Sequence, residues 1–190
     1  KLLSYSSAST NGNQFSVVEA DEYDRSFLNL SPDWAVVTSI DADHLDIYGD
    51  RLHIEEGFRQ FAALVPDDNQ LFVRKGIAIG RAHKTYAVNE EADYYSDNLR
   101  MDHDKMYFDF HTPERETEEF VWEIPGIHNV ENATAALAIL RNLGVSFDIL
   151  KKGIASFRGI KRRYTKHIFD NGKIYIDDYA HHPTELNAVI

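Results

Sequence analysis

Two short acidic stretches carry the chemistry this sequence offers most openly. One is Glu19-Ala20-Asp21-Glu22-Tyr23-Asp24 and the other is Asp41-Ala42-Asp43-His44-Leu45-Asp46. Each follows an apolar run, Phe15-Ser16-Val17-Val18 and Trp34-Ala35-Val36-Val37-Thr38-Ser39-Ile40 respectively. Runs rich in β-branched residues suit strands inside a parallel sheet covered on both faces. Ligands of such sheets bind outside the carboxyl ends of the strands. Two neighbouring strands would then bring Glu19 and His44 to one rim, with several more carboxylates. Carboxylate oxygens with few basic neighbours suit a hard cation such as Mg²⁺, which also keeps waters and substrate phosphates as ligands. Without a metal, the same residues read as two solvated acidic loops at strand ends.

The bulk numbers narrow the field. A chain of 190 residues suffices for one good-sized domain, or for one domain and part of a second. An apolar content of 43% is enough for a core. Twenty Lys and Arg against 31 Asp and Glu give a formal charge of −11. That balance opposes general binding to nucleic acid or to an anionic membrane, but leaves room for one small phosphorylated ligand beside a local cation. The absence of cysteine excludes a disulfide framework and thiol chemistry, and fits a reducing compartment. No apolar run approaches the roughly 18 residues of a membrane span, and Lys1-Leu2-Leu3 gives way at once to polar residues rather than to a secretory pattern. A soluble, cytoplasmic protein is expected. Nothing in the composition speaks to oligomeric state.

The elements that must position the chemistry follow from periodicity. Asn11-Gly12-Asn13 predicts a turn that leads into the first strand as a hairpin. Arg25 to Leu30 reads as a short helix or turn. Asp50 is placed to cap a helix over 51–64, whose apolar face is Ile54, Phe58, Phe61, Ala62 and Val65. Strands are predicted at Leu71-Phe72-Val73 and Thr85-Tyr86-Ala87-Val88, and their alternation with helices gives an α/β architecture. Residues 93–98, 105–111 and 118–124 alternate and are rich in Tyr, Phe and Val, which predicts a small antiparallel sheet. His103 and His111 fall there and are expected to face solvent. Helices follow over 133–143, closed by Gly144, and over 147–155. Asn171-Gly172 marks a hairpin between 166–170 and 173–177.

Three further strings hold candidate functional groups. Pro125-Gly126-Ile127-His128-Asn129-Val130-Glu131-Asn132 opens a helical run, and a carboxamide offers the donor and acceptor that suit the edge of adenine. Asn129 and Asn132 share a helix face if both are helical, although Asn is also an ordinary helix cap. Arg158-Gly159-Ile160-Lys161-Arg162-Arg163 is basic, and guanidinium suits a charge developing on a transferring phosphoryl group. It reads equally as a solvated linker. Asp177-Asp178-Tyr179-Ala180-His181-His182-Pro183 precedes a last helix, with Pro183 placed for its first turn; the paired histidines alternatively form a rigid structural turn.

Taken together, these strings resemble the Mur ligases, and among them the alanine-adding branch. The resemblance rests on Glu19-Ala20-Asp21-Glu22, Ala42-Asp43-His44-Leu45-Asp46, the Pro-Gly-x-His-Asn-x-x-Asn string, Gly159-x-x-Arg162-Arg163 and Asp177 to Pro183. It implies a mostly parallel central sheet flanked by helices, P-loop-like, with a small antiparallel satellite sheet. It further implies that residues 1–157 are the ATP-binding central domain and 158–190 the linker and start of a C-terminal domain. By resemblance Glu19 and His44 hold Mg²⁺, and Asn129 and Asn132 contact ATP. Arg163 meets its phosphates and Asp178 lies near its ribose. Tyr179, His181 and His182 approach the reacting groups. The implied reaction joins UDP-N-acetylmuramate to L-alanine through an acyl phosphate.

The departures from the family pattern are specific. The Gly-rich phosphate loop ending in Gly-Lys-Thr is missing, and the sole Gly-Lys pair, Gly172-Lys173, sits in the hairpin. No lysine lies between His44 and Lys75, so the carbamylated lysine of several family members is not carried over. Both ends look cut, and the piece alone is not expected to turn over. Two rivals stand beside this reading. One is the ligase that recycles murein tripeptide, whose second motif has Phe-Asp-His where this chain has Ala42-Asp43-His44. The other is a non-catalytic nucleotide- or metal-binding module.

Overall fold

The computed structural model describes all residues except 1–4, 11–12, 41–50, 104, 163–164, 181–185 and 187–190. Ten strands are described: β1 (Tyr5–Thr10), β2 (Asn13–Val18), β3 (Ala35–Val37), β4 (Leu71–Arg74), β5 (Lys84–Val88), β6 (Tyr94–Asp102), β7 (Lys105–His111), β8 (Thr117–Trp122), β9 (Thr165–Ile168) and β10 (Ile174–Asp177). Among the described residues the α-helices are α1 (Arg51–Ala63), α2 (Ile127–Asn142) and α3 (Phe147–Ser156), and short 3₁₀ helices cover Tyr23–Asn29 and Asp68–Gln70. Strands β3 to β8 form a six-stranded sheet in chain order, while β1–β2 and β9–β10 are separate two-stranded sheets. The class is α/β, a mostly parallel sheet flanked by helices with small antiparallel sheets beside it. By density of contacts the chain divides into two compact units, Lys1–Lys84 and Thr85–Ile190.

The first unit is built on α1. Its apolar stripe buries Ile54, Phe61 and Ala62, and Val65 beyond its end is also buried. Phe61, Ala62 and Val65 pack with Val37 of β3 and Leu71 and Val73 of β4. Taking a side chain such as Phe61, Val65 or Leu71 from water stabilises by about 1.5–3 kcal/mol. Strands β3 and β4 pair in parallel, Ala35 opposite Leu71 and Val37 opposite Val73. The last carbonyls of a helix lack intrahelical partners. Here Arg81 serves them: its Nη1 donates to Ala62 O at 2.8 Å and Val65 O at 2.9 Å, and its Nε donates to Asp68 Oδ1 at 2.8 Å.

The hairpin expected to lead into Phe15 to Val18 is present, but the stretch departs from the buried parallel strand expected of it. It lies in β2, paired antiparallel with β1 with Thr10 opposite Asn13, and not among β3 to β8. The two-residue spacing at Asn11-Gly12 suits a hairpin, and a hairpin satisfies the backbone without burial on both faces. Val17 is accordingly 68% exposed and Phe15 37%.

In the second unit, β5 and β6 pair in parallel and β6, β7 and β8 pair antiparallel. The alternation of Met106, Phe108 and Phe110 in β7 places all three in the core, with Phe120 and Trp122 of β8. The expected antiparallel strands are therefore present, and they continue the main sheet. Helix α2 packs on β6 and α3 on β8. At the join between these helices Arg141 lies over the Phe147 ring, 4.3 Å from its centroid, while its Nη1 donates to Val145 O at 2.9 Å.

His111 does not face solvent as expected. Its ring stacks on Tyr95 at 4.2 Å, with Nε2 2.8 Å from Asp97 Oδ1 and Nδ1 2.9 Å from Thr117 Oγ1. It bridges three strands, because β6 and β8 each place a polar partner beside β7. His103 does lie in solvent, with its side chain 92% exposed.

Candidate functional site

The acidic segment is fixed by the 3₁₀ helix into which it runs. Glu19 is exposed directly after β2, and Asp21 and Glu22 are half-buried before that helix. Asp21 O accepts from the Phe27 backbone N–H and the Ser26 hydroxyl, each at 3.2 Å. Phe27 is 2% exposed, stacks on Phe61 at 5.1 Å and meets Phe58 edge-on at 5.5 Å. One side chain thus anchors the carboxylate-bearing turn to α1. Its expected partner for a metal, His44, lies outside the described residues, as do Asp41, Asp43 and Asp46.

Asn129 and Asn132 are brought together on the first turns of α2. The helix begins at Ile127, six residues before the start read from the sequence, with Gly126 as its N-cap. Asn129 is therefore not the cap. Its Nδ2 donates back to Pro125 O at 2.6 Å, leaving Oδ1 and a second N–H for a ligand. Asn132 is exposed one turn on. Gly126 has φ +104, and an added Cβ would lie 2.7 Å from His128 Cε1. Only glycine accommodates that entry to the helix without strain.

Arg163, His181 and His182 lie outside the described residues. Asp178 is described just after β10, and its Oδ1 accepts the Ala180 N–H at 2.7 Å in a side-chain turn. The hairpin before it closes differently from the two-residue form expected at Asn171-Gly172. Gly172 N–H donates to Phe169 O at 2.8 Å, Phe169 N–H to Lys173 O at 2.9 Å, and Gly172 has φ +77 while Asn171 has no positive φ. That is a three-residue connection with a glycine bulge.

The residues present suit the expected groups in their chemistry. Glu19 supplies an exposed oxygen donor, and Mg²⁺ asks for only one or two carboxylates when phosphates complete its shell. Among the described residues no group of three His, Asp or Glu could hold a metal ion. A site depending on protein ligands alone is thus not found there. The carboxamides at the open start of α2 suit a nucleotide. A recess of about 390 Å³ in the second unit, lined by Asp93, Tyr95, His111, Thr112 and Arg115 among others, contains none of the expected site residues.

Two arrangements have no clear signal in the sequence. Ser96 and Thr134 form a buried hydroxyl pair, and Arg162 packs against the segment after β10. Serine and threonine 38 positions apart have no periodicity to betray them, and the basic run points to Arg163 rather than to its neighbour.

This is an α/β fold whose described candidate groups sit at strand ends and a helix start. A family model described as the Mur ligase middle domain matches residues 2–140, and the chain belongs to that family. It is 45% identical over 178 residues to the UDP-N-acetylmuramate–L-alanine ligase of Christiangramia forsetii, covering 94% of this chain and 39% of that protein. The protein of the same name from Flavobacterium psychrophilum is 46% identical over 178 residues, with the same coverage. Among solved structures, UDP-N-acetylmuramate-alanine ligase MurC from Thermotoga maritima superposes with a TM-score of 0.75 at 23% identity, covering 87% of this chain and 39% of that one, and shares the fold. The chain spans about two fifths of the length of the curated relatives it matches.

Proposed function

We propose that the protein carrying this chain is an ATP-dependent ligase that joins L-alanine to UDP-N-acetylmuramate in the cytoplasm, in the synthesis of peptidoglycan precursors. One observation carries the reading. Identity of 45% to a ligase of that name extends over 94% of this chain, well beyond the nucleotide motifs.

A carboxylate is a poor acyl donor. ATP supplies a phosphoryl group that the carboxylate oxygen takes, with ADP leaving. The amine nitrogen of L-alanine then attacks the acyl carbon, phosphate departs with the C–O electron pair, and the nitrogen loses its proton. Chemistry of this kind is mostly positioning and charge neutralisation. Glu19 and His44 would hold Mg²⁺ near the phosphates. Asn129 and Asn132 would seat the nucleotide, with Asp178 near its ribose. Arg163 would balance charge on the transferring group, and His181 and His182 would stand near the reacting atoms. In this reading residues 1–157 belong to the ATP-binding domain, and 158–190 begin the domain that closes on it.

The test is product formation. The protein carrying this chain is incubated with ATP, Mg²⁺, L-alanine and UDP-N-acetylmuramate, and the products are read by mass. A UDP-N-acetylmuramoyl-alanine product formed only when ATP is present supports the proposal. ATP binding without any peptide-bonded product would instead favour a non-catalytic nucleotide-binding module.

A further inference from the structure

Arg162 is set apart by its backbone. Its φ of +62 is in the left-handed region, which a residue with a long side chain enters only when its surroundings determine it. Four contacts do so here. Its N–H donates to Thr165 Oγ1 at 2.9 Å, and its carbonyl accepts the Tyr179 N–H at 2.9 Å. Its guanidinium carbon lies 4.8 Å from the centroid of the Tyr179 ring, and its Nε is 3.9 Å from Asp177 Oδ1.

These contacts lie at the open end of the β9–β10 hairpin, just beyond the Thr165–Asp177 pair. A two-stranded hairpin is marginal by itself. This one leaves Ile168 74% exposed, Ile174 61% and Tyr175 56%. Its base is therefore the place where order must come from specific contacts. Arg162 directly precedes Arg163, and Tyr179 directly follows Asp178.

We propose that Arg162 is a positioning residue: clamped to Tyr179, it holds the segment that carries Asp178 to the base of the hairpin as one unit, so that this nucleotide contact is presented in place. The proposal rests on the ligase reading for what that unit binds, but the clamp itself can be read without activity. Arginine suits the role because a planar guanidinium can stack on a ring while its N–H groups remain free for a carboxylate.

The experiment compares Arg162→Ala, Asp178→Ala and the double variant in the protein carrying this chain. Arg162→Ala should lower kcat/KM for ATP about tenfold and raise KM for ATP, while KM for UDP-N-acetylmuramate stays within about twofold. Added to Asp178→Ala, it should cost no more than about threefold further, because the group it positions is gone. Hydrogen exchange of the Tyr179 amide should speed up at least about tenfold in Arg162→Ala, with the Phe108 amide in β7 unchanged. An unchanged Tyr179 amide, or losses that multiply in the double variant, would overturn the proposal. So would a fall in kcat with KM for ATP unchanged, the mark of a smaller active fraction. If the wild type makes no alanine-containing product, the ligase reading fails, and the Tyr179 exchange still decides whether the clamp exists.

Discussion

The hydroxyls of Ser96 and Thr134 lie 2.6 Å apart, both residues fully buried, and join β6 to α2. Thr134 Oγ1 also donates to Val130 O at 2.7 Å. A hydroxyl has one hydrogen, so Ser96 is the donor of the pair. The helix start that carries Asn129 and Asn132 is thus registered on the sheet by a directional contact as well as by apolar packing.

The direction of that bond makes the two substitutions unequal. Thr134→Val leaves the Ser96 hydroxyl buried without an acceptor and should cost about 1–3 kcal/mol. Ser96→Ala leaves Thr134 its bond to Val130 and should cost less. The double variant should be more stable than the sum of the singles implies. Urea denaturation of the four proteins checks this, and equal costs that simply add would contradict the assignment.

Phe27→Ala should be the most damaging single truncation near the acidic segment. It removes a ring that is 2% exposed and packed on both Phe58 and Phe61. Phe→Ala in a core costs about 3–5 kcal/mol. Phe27→Leu should retain most of the stability, because burial rather than ring stacking supplies most of it. Thermal unfolding compares them, and a loss in Phe27→Ala no larger than that of a surface substitution would show that the turn is held by something else.

How far these features are legible in the sequence depends on the kind of signal each gives. The stripe Ile54, Phe58, Phe61, Ala62 on α1 and the alternation Met106, Phe108, Phe110 in β7 are read directly, since burial leaves a period in the sequence. Phe15 to Val18 misleads because β-branched composition suits a hairpin as well as a buried parallel strand. The start of α2 is hidden because Pro125-Gly126 suggests a loop, whereas Gly126 with φ +104 is the N-cap. His111 is not legible because its partners, Asp97 and Thr117, come from two other strands. Of the candidate site, the motifs give residue types and order. The structure adds the placement of Glu19, Asn129, Asn132 and Asp178, while His44, Arg163, His181 and His182 lie outside the described residues.

Gly126→Ala should disturb the nucleotide end of α2 specifically. The substitution forces an L-residue to φ +104 and sets its Cβ 2.7 Å from His128 Cε1. A cost of about 1 kcal/mol or more is expected where alanine must take positive φ. The His128 ring must move, and with it the turn that carries Asn129. ATP affinity measured by calorimetry should fall more than global stability does. An unchanged affinity would remove this turn from the nucleotide site.

Tyr94 provides a pH test of the core of the second unit. Its phenol pKa is raised above 10.0, chiefly by burial, with further contributions from the charges of Glu114 and Asp93. A group whose pKa is higher in the folded state contributes stability that is complete below the unfolded value and is lost as pH rises through the folded one. Stability should therefore decline above about pH 10, and Tyr94→Phe should flatten that decline. Denaturation at a series of alkaline pH values, with tyrosinate absorbance followed in parallel, reads both. A decline of the same slope in the variant would assign it to other groups.

An alanine-adding ligase built around the acidic segments, as proposed, must release phosphate from ATP when its amino-acid substrate is supplied. ATP-dependent release is measured with the protein carrying this chain, UDP-N-acetylmuramate and either L-alanine or the murein tripeptide, beside folded Glu19→Ala and His44→Ala variants. The expected result is release that depends on L-alanine and is lost in both variants. Release only with the tripeptide, or alanine-dependent release undiminished in the two variants, would contradict it.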